Sequence, residues 1–240
     1  MPAAEERYLA RLVARVRAEL GEDLVGVYAG GSWALGDYEP GRSDLDVAVV
    51  TRDRLPHFRL AALAMALRHD TLPCPARGLE LVVYPVAAVR SPSTTPGFDL
   101  NLNTGAGLPE RIDFEPVSGE AHWFAIDRSI LAENGVALHG PPARDVFAVF
   151  SRELLSPVLA EALRRGGTAA PAVLNACRTL RFVADGVWES KRGAAAWMLA
   201  RGEERVLVEA ALRVRAGQEE SLDPAAVERF IGRVLAQLEA

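Results

Sequence analysis

A Gly30-Gly31-Ser32 corner is followed, after eleven residues, by Asp44-Leu45-Asp46, and a third acid, Glu80, stands inside the apolar run Leu79 to Val83. Side chains alternate faces along an extended strand, so Asp44 and Asp46 share one side while Leu45, Val47 and Val49 take the other. Two carboxylates one strand step apart can hold magnesium. A charge within an apolar strand is costly unless something compensates it. A neighbouring strand carrying the two aspartates would compensate Glu80 through shared metal, because three crowded carboxylates repel one another and draw in a divalent cation. At Gly31 and Ser32, between a strand and a short helix, glycine admits a close ligand and free N–H groups point outward, which suits a triphosphate. The chemistry expected is nucleotidyl transfer. Two magnesium ions held by Asp44, Asp46 and Glu80 bridge the phosphate oxygens, pyrophosphate leaves towards Ser32, and Glu80 takes the acceptor proton. Gly-Ser alone is usually a turn and Asp-x-Asp alone usually a solvated strand face; their order together with the third acid carries the reading.

The elements that must position these residues are legible in the apolar spacing. Leu9, Leu12, Val13, Val16 and Leu20 recur at threes and fours from Glu5 to Leu20 and stop at Gly21, a helix pattern. Strands are expected over Leu24 to Tyr28, Asp44 to Val50 and Leu79 to Val83, with a short helical turn from Ser32 to Leu35 and a helix from Leu55 to Arg68. The weakly periodic stretch from Arg90 to Gly119 reads mostly as substrate-facing loops, with room for one strand around Phe98 to Leu102. A helix from Trp123 to Glu133 follows, and then the linker-like Gly140-Pro141-Pro142. Beyond it the pattern predicts helices over Arg152 to Arg164, Ala172 to Glu189, Lys191 to Ala200, Glu204 to Arg215 and Pro224 to Leu238. The fold expected is an α/β (α+β) catalytic domain with a mixed sheet over residues 1–140, then an all-α bundle over residues 141–240.

Composition narrows the function classes. The chain has 240 residues, half of them hydrophobic and a quarter charged, the profile of a folded globular protein. Its net charge of -5 offers no basic stripe for a phosphate backbone, which argues against nucleic acid as a partner. The apolar runs are too short to span a bilayer, and charges interrupt the N-terminus, so a cytoplasmic protein is expected, monomeric or weakly oligomeric. Cys74 and Cys177 make neither a disulfide framework nor a metal motif, and Cys177 reads as a core residue. His57, His69, His122 and His139 likewise lack ligand spacing. Trp123, Trp188 and Trp197 are expected on helices, packed in cores. Trp33 suits either a nucleotide face or the gap between helix and sheet. Asp99, Glu110, Asp113, Glu115 and Glu120 make the middle segment acidic, and Asp185 lies near Arg178 on one helix. They are either solvated surface or a carboxylate-lined cleft for a cationic small-molecule acceptor.

At the Gly-Ser corner and the acids the chain resembles the nucleotidyltransferase superfamily with the polymerase-β-like fold. The segments Leu79 to Tyr84, Phe98 to Gly105, Ile126 to Pro142 and Leu174 to Trp188 look like the streptomycin/spectinomycin adenylyltransferases, a likeness running over nearly the full length. The resemblance implies transfer of AMP from ATP to a hydroxyl of an aminoglycoside or aminocyclitol. It also implies that the helical domain contributes Arg178 and, thirteen residues later, Lys191 to bound ATP, with Trp197 as a landmark. The guanidinium fork and the ammonium are what a triphosphate requires. The tryptophan and aspartate with which streptomycin-modifying members hold that drug fall near Gly105 and Thr168, so spectinomycin-like acceptors are favoured. A tyrosine expected near the nucleotide falls at Arg215. Two other readings stand beside this one: a nucleotidyltransferase modifying a protein or RNA target, and a catalytically silent nucleotide-binding regulator. The first wants a basic groove, and the second would leave gaps in the acid triad.

Overall fold

The computed structural model describes residues 3–116 and 121–239, and the chain divides into two compact units, Met1–Val149 and Phe150–Ala240. The first unit opens with α1 (Ala3–Leu20), β1 (Leu24–Ala29), the one-turn α2 (Gly31–Ala34), β2 (Leu45–Thr51) and α3 (His57–Leu67). It continues with β3 (Leu79–Pro85), the short α4 (Val86–Val89), β4 (Leu100–Gly105), β5 (Leu108–Asp113), α5 (Ala121–Asn134) and β6 (Val136–His139). The sheet order is β5-β4-β3-β2-β1-β6, with β2 and β3 parallel and every other pair antiparallel. This is the mixed sheet expected of the nucleotidyltransferase domain.

Alternation along each strand divides the core in two. Val27, Val47, Val49, Leu81, Val83, Leu100 and Leu102 face one layer with Leu12 and Val16 of α1 and Leu60 and Leu63 of α3. Tyr28, Ala48, Val50 and Tyr84 face the other, with Leu131 and Ala132 of α5. Leucine burial of this kind contributes roughly 1.5–3 kcal/mol per side chain, so the two layers fix which face each strand residue takes.

The region from Arg90 onwards departs from the loop expectation. It forms the hairpin β4–β5, in which Leu100 and Leu102 are buried against the first layer while Asn101 and Asn103 occupy the other face. Polar residues at alternate positions diluted the apolar signal without changing the period. The Gly140-Pro141-Pro142 run is also no boundary between the compact units. Residues 143–147 pack back on the sheet, with Ala143, Val146 and Phe147 in the second layer and the Phe147 ring edge-on to Tyr28 at 5.2 Å. The units accordingly divide at Val149, nine residues beyond Gly140.

The second unit is all helical: α6 (Arg152–Arg165), α7 (Ala170–Asp185), α8 (Lys191–Ala200), α9 (Arg205–Arg215) and α10 (Pro224–Leu238). Val173, Leu174, Cys177, Met198, Val208, Val227, Phe230 and Val234 share its core. Ser151, Ser190 and Asp223 cap α6, α8 and α10 by accepting backbone N–H bonds from Leu154, Gly193 and Ala225. Helix α7 stops earlier than its apolar spacing suggests, because Gly186 takes a left-handed conformation, φ +69°, and closes it. Trp188 therefore lies beyond the helix, buried and stacked on Phe182. Trp123, also expected in a core, is partly exposed on α5. No helix among the described residues is long and apolar enough to cross a membrane.

One buried cation ties the segment after α4 to the sheet. Arg128 of α5 is 1% exposed and donates from Nη1 to the Ala88 carbonyl at 2.7 Å, and from Nη2 to those of Ser93 and Thr95 at 2.7 and 2.6 Å. Burial pulls its pKa down, opposed by Tyr84 and Asp127. Arg128→Met would keep the apolar stem and strand these carbonyls. It should lower unfolding stability by about 3 kcal/mol. Urea denaturation with an unchanged m-value checks this, and a midpoint equal to wild type would refute the clamp.

Candidate active site

Parallel pairing of β2 and β3 sets Asp46 directly beside Glu80, and antiparallel pairing of β3 and β4 sets Glu80 beside Asn103. Registered partners on neighbouring strands share a face, so the three side chains form a polar row. Both acids are half-buried, whereas their strand neighbours Leu45, Val47, Leu79 and Leu81 are buried on the opposite face. Period-two alternation thus does for Asp46 and Glu80 what the sequence pattern requires. Asn103 was not foreseen, since nothing local marks an asparagine 23 residues after Glu80 as its cross-strand neighbour.

The Gly-Gly-Ser corner sits directly on Asp46. Gly30 N–H donates to the Asp46 carbonyl at 2.9 Å. At Gly31, φ is +51°, and a Cβ there would lie 1.7 Å from Asp46 Oδ2. Only glycine admits the carboxylate at that distance and adopts that backbone without strain. Ser32 Oγ, next in the chain, is buried without a hydrogen-bond partner. A buried hydroxyl left without a partner, next in the chain to a glycine that meets Asp46, is the kind of group a polar ligand satisfies. Trp33 is buried in the first core layer and meets Tyr38 edge-on at 5.2 Å, so it fills the gap between helix and sheet.

Asp44 lies just before β2 and is also half-buried, but its Oδ2 accepts a hydrogen bond from Arg77 Nη1 at 3.2 Å. Among the described residues, no group of three His, Cys, Asp or Glu side chains is arranged to hold a metal ion. The Asp44–Arg77 pair gives a physical reason, since a carboxylate satisfied by a guanidinium does not turn to join two other negative groups. The donor set itself fits a hard divalent cation: carboxylate oxygens on Asp44 and Asp46, a third on the neighbouring strand, and a hydroxyl at Ser32. The sequence offered no sign of Arg77 beyond its position three residues before Glu80.

In the helical unit, Arg178 of α7 and Lys191, the first residue of α8, flank the turn between the two helices. The Arg178 guanidinium stands 5.8 Å over the Trp188 ring in that turn, and Ser190 caps the helix that Lys191 begins. Packing Arg178 over an aromatic face helps fix the direction of its guanidinium. Arg181, one turn further on, pairs with Asp185 and lies 5.4 Å over Trp197.

The carboxylates of the middle segment do not line a cleft as a set. Asp99 is buried, accepts from Leu55 N–H and pairs with Arg54; burial raises its pKa against those two contacts. Glu110 pairs with Arg68 at 2.7 Å, and Asp113 is held by Arg111 and by Asn101. Asp185 is taken by Arg181. Glu115 is exposed, and Glu120 lies outside the described residues.

The comparisons with known proteins fall on the same two units. A nucleotidyltransferase domain model matches residues 9–82, and an aminoglycoside adenylyltransferase C-terminal domain model matches residues 154–237. No curated protein sequence matches significantly. Among solved structures, the fold is similar to that of the spectinomycin adenyltransferase AAD(9) from Enterococcus faecialis, crystallised with ATP and spectinomycin. That match has a TM-score of 0.69 at 14% identity and covers 98% of this chain and 99% of the other. The first domain model spans the Gly-Ser corner and all three acids, and the second spans Arg178 and Lys191, so the chain carries a nucleotidyltransferase domain followed by a domain similar to the C-terminal domain of the aminoglycoside adenylyltransferases.

Proposed function

We propose that this enzyme transfers AMP from ATP to a hydroxyl of an aminocyclitol or aminoglycoside, with spectinomycin-like acceptors ahead of streptomycin. The observation that carries the reading is the contact of the Gly31-Ser32 corner with Asp46, itself in register with Glu80. A glycine corner against a carboxylate, an orphaned hydroxyl next to it in the chain and two adjacent acids are what nucleotidyl transfer needs. The AAD(9) structure, similar in fold, was determined with the donor and acceptor named here. In this reading Asp44, Asp46 and Glu80 would hold magnesium, which would supply positive charge to the phosphate oxygens and the leaving pyrophosphate. Gly31 and Ser32 receive the phosphate chain. Arg178 and Lys191 add cationic contacts to ATP. Glu80 accepts the acceptor proton as the hydroxyl oxygen attacks the α-phosphorus and the bond to pyrophosphate breaks.

The direct test incubates the protein with magnesium, ATP and a panel of aminocyclitols, and looks by mass spectrometry for an acceptor that has gained AMP. If no acceptor gained AMP while a protein or RNA did, the acceptor class would be wrong and the superfamily chemistry would stand.

Three variants divide the roles. Asp46→Asn should abolish turnover yet leave thermal stability equal or higher, since it removes one of two adjacent like charges. A variant that unfolds would instead make Asp46 an anchor for the Gly-Gly corner. Glu80→Gln should slow single-turnover transfer about a hundredfold or more while calorimetric ATP affinity changes little. Near-normal transfer would show that Glu80 is no base, and lost ATP binding would make it chiefly a metal ligand. Arg178→Gln and Lys191→Gln should each weaken ATP binding by about tenfold, the scale of one charge-assisted contact. Unchanged affinity in both would remove the helical unit from ATP binding.

A further inference from the structure

Arg77 touches one of the candidate metal ligands, Asp44, and it is held there from two sides. Its backbone N–H donates to the Ser43 carbonyl at 3.2 Å, next to Asp44, and its carbonyl accepts from Gly107 N–H at 2.8 Å in the β4–β5 turn. Its Nε donates back to the Gly107 carbonyl at 3.3 Å, which leaves Nη1 aimed at Asp44 Oδ2. A Cβ at Gly107 would lie 2.8 Å from Arg77 Cγ, so the turn packs directly on the arginine stem. The guanidinium is therefore positioned by the hairpin, not merely attracted from solvent. The pair is only partly shielded, with side chains 46% and 24% exposed.

We infer that Arg77 is a resident counter-cation for Asp44, which it holds until a divalent ion takes its place, so that it sets a lower metal affinity than the bare carboxylates would have. The inference rests on the proposed role of Asp44 as a metal ligand. A guanidinium and a dication compete for the same oxygen, and the positive charge of Arg77 also repels the incoming ion. Before metal binds, Arg77 relieves repulsion of Asp44 with Asp46 and Glu80. Afterwards it swings clear while its Nε bond to Gly107 keeps it near. Arg77 is a positioning residue in this scheme and touches no substrate.

The test measures Mn2+ binding to the full chain by loss of the free-ion electron paramagnetic resonance signal. Wild type, Arg77→Gln, Arg77→Met and Arg77→Lys are compared, with Asp44→Asn as the reference for a lost ligand. Arg77→Gln, and Arg77→Met with its stem still packed on Gly107, should bind Mn2+ about two- to fivefold more tightly than wild type. Arg77→Lys, which restores the charge, should return towards wild-type affinity. The gain should narrow at high ionic strength, because the pair is partly exposed. Equal or weaker binding by both neutral variants, with wild-type binding still sensitive to Asp44→Asn, overturns the counter-cation role alone. If wild type shows no Mn2+ binding that Asp44→Asn removes, the metal reading of Asp44 falls, and this inference with it.

Discussion

Two like charges held side by side on neighbouring strands are the constraint around which the first unit is built. Asp46 and Glu80 are adjacent because β2 and β3 pair parallel and in register. That register is locked by Leu45, Val47, Leu79 and Leu81 on the reverse face, each buried beneath α1 and α3. Moving either strand by one residue would turn these leucines and valines out of the layer they fill and drive the acids into it, at a cost of several side-chain burial energies. The hydrophobic core thus enforces an electrostatic arrangement that the acids alone would not choose.

Everything near the pair accommodates it. The Gly31 backbone lies where only a residue without Cβ fits against Asp46, and Arg77 is braced by the β4–β5 turn so that it meets Asp44. The arginines Arg54, Arg68 and Arg111 engage the remaining acids of the middle segment. An excess of acidic residues overall therefore does not translate into a general negative cleft.

The helical unit shows the same economy of cause. Its core of small and branched apolar residues follows directly from the 3.6-residue period, and the capping serines and Asp223 set where three helices begin. The turn after Gly186 brings Trp188 beneath Arg178 and ends where Lys191 starts α8, so both cations border the same turn. The family resemblance pairs them, but it takes the left-handed glycine to bend the backbone between them.

Much of this was legible in the residues themselves. The order of the glycine corner and the three acids, the strand alternation that sets Leu45 and Val47 on the face opposite Asp46, and the five terminal helices are all local patterns, which the sequence by itself determines. The hairpin β4–β5, the return of residues 143–147 to the sheet and the approach of Arg77 to Asp44 were not legible. Each depends on groups far apart in the chain, and an isolated arginine or asparagine carries no signal of its eventual neighbour. The same holds for register: the sequence says that Glu80 stands on a strand, but only the packing of two apolar layers decides that the strand beside it places Asp46 opposite.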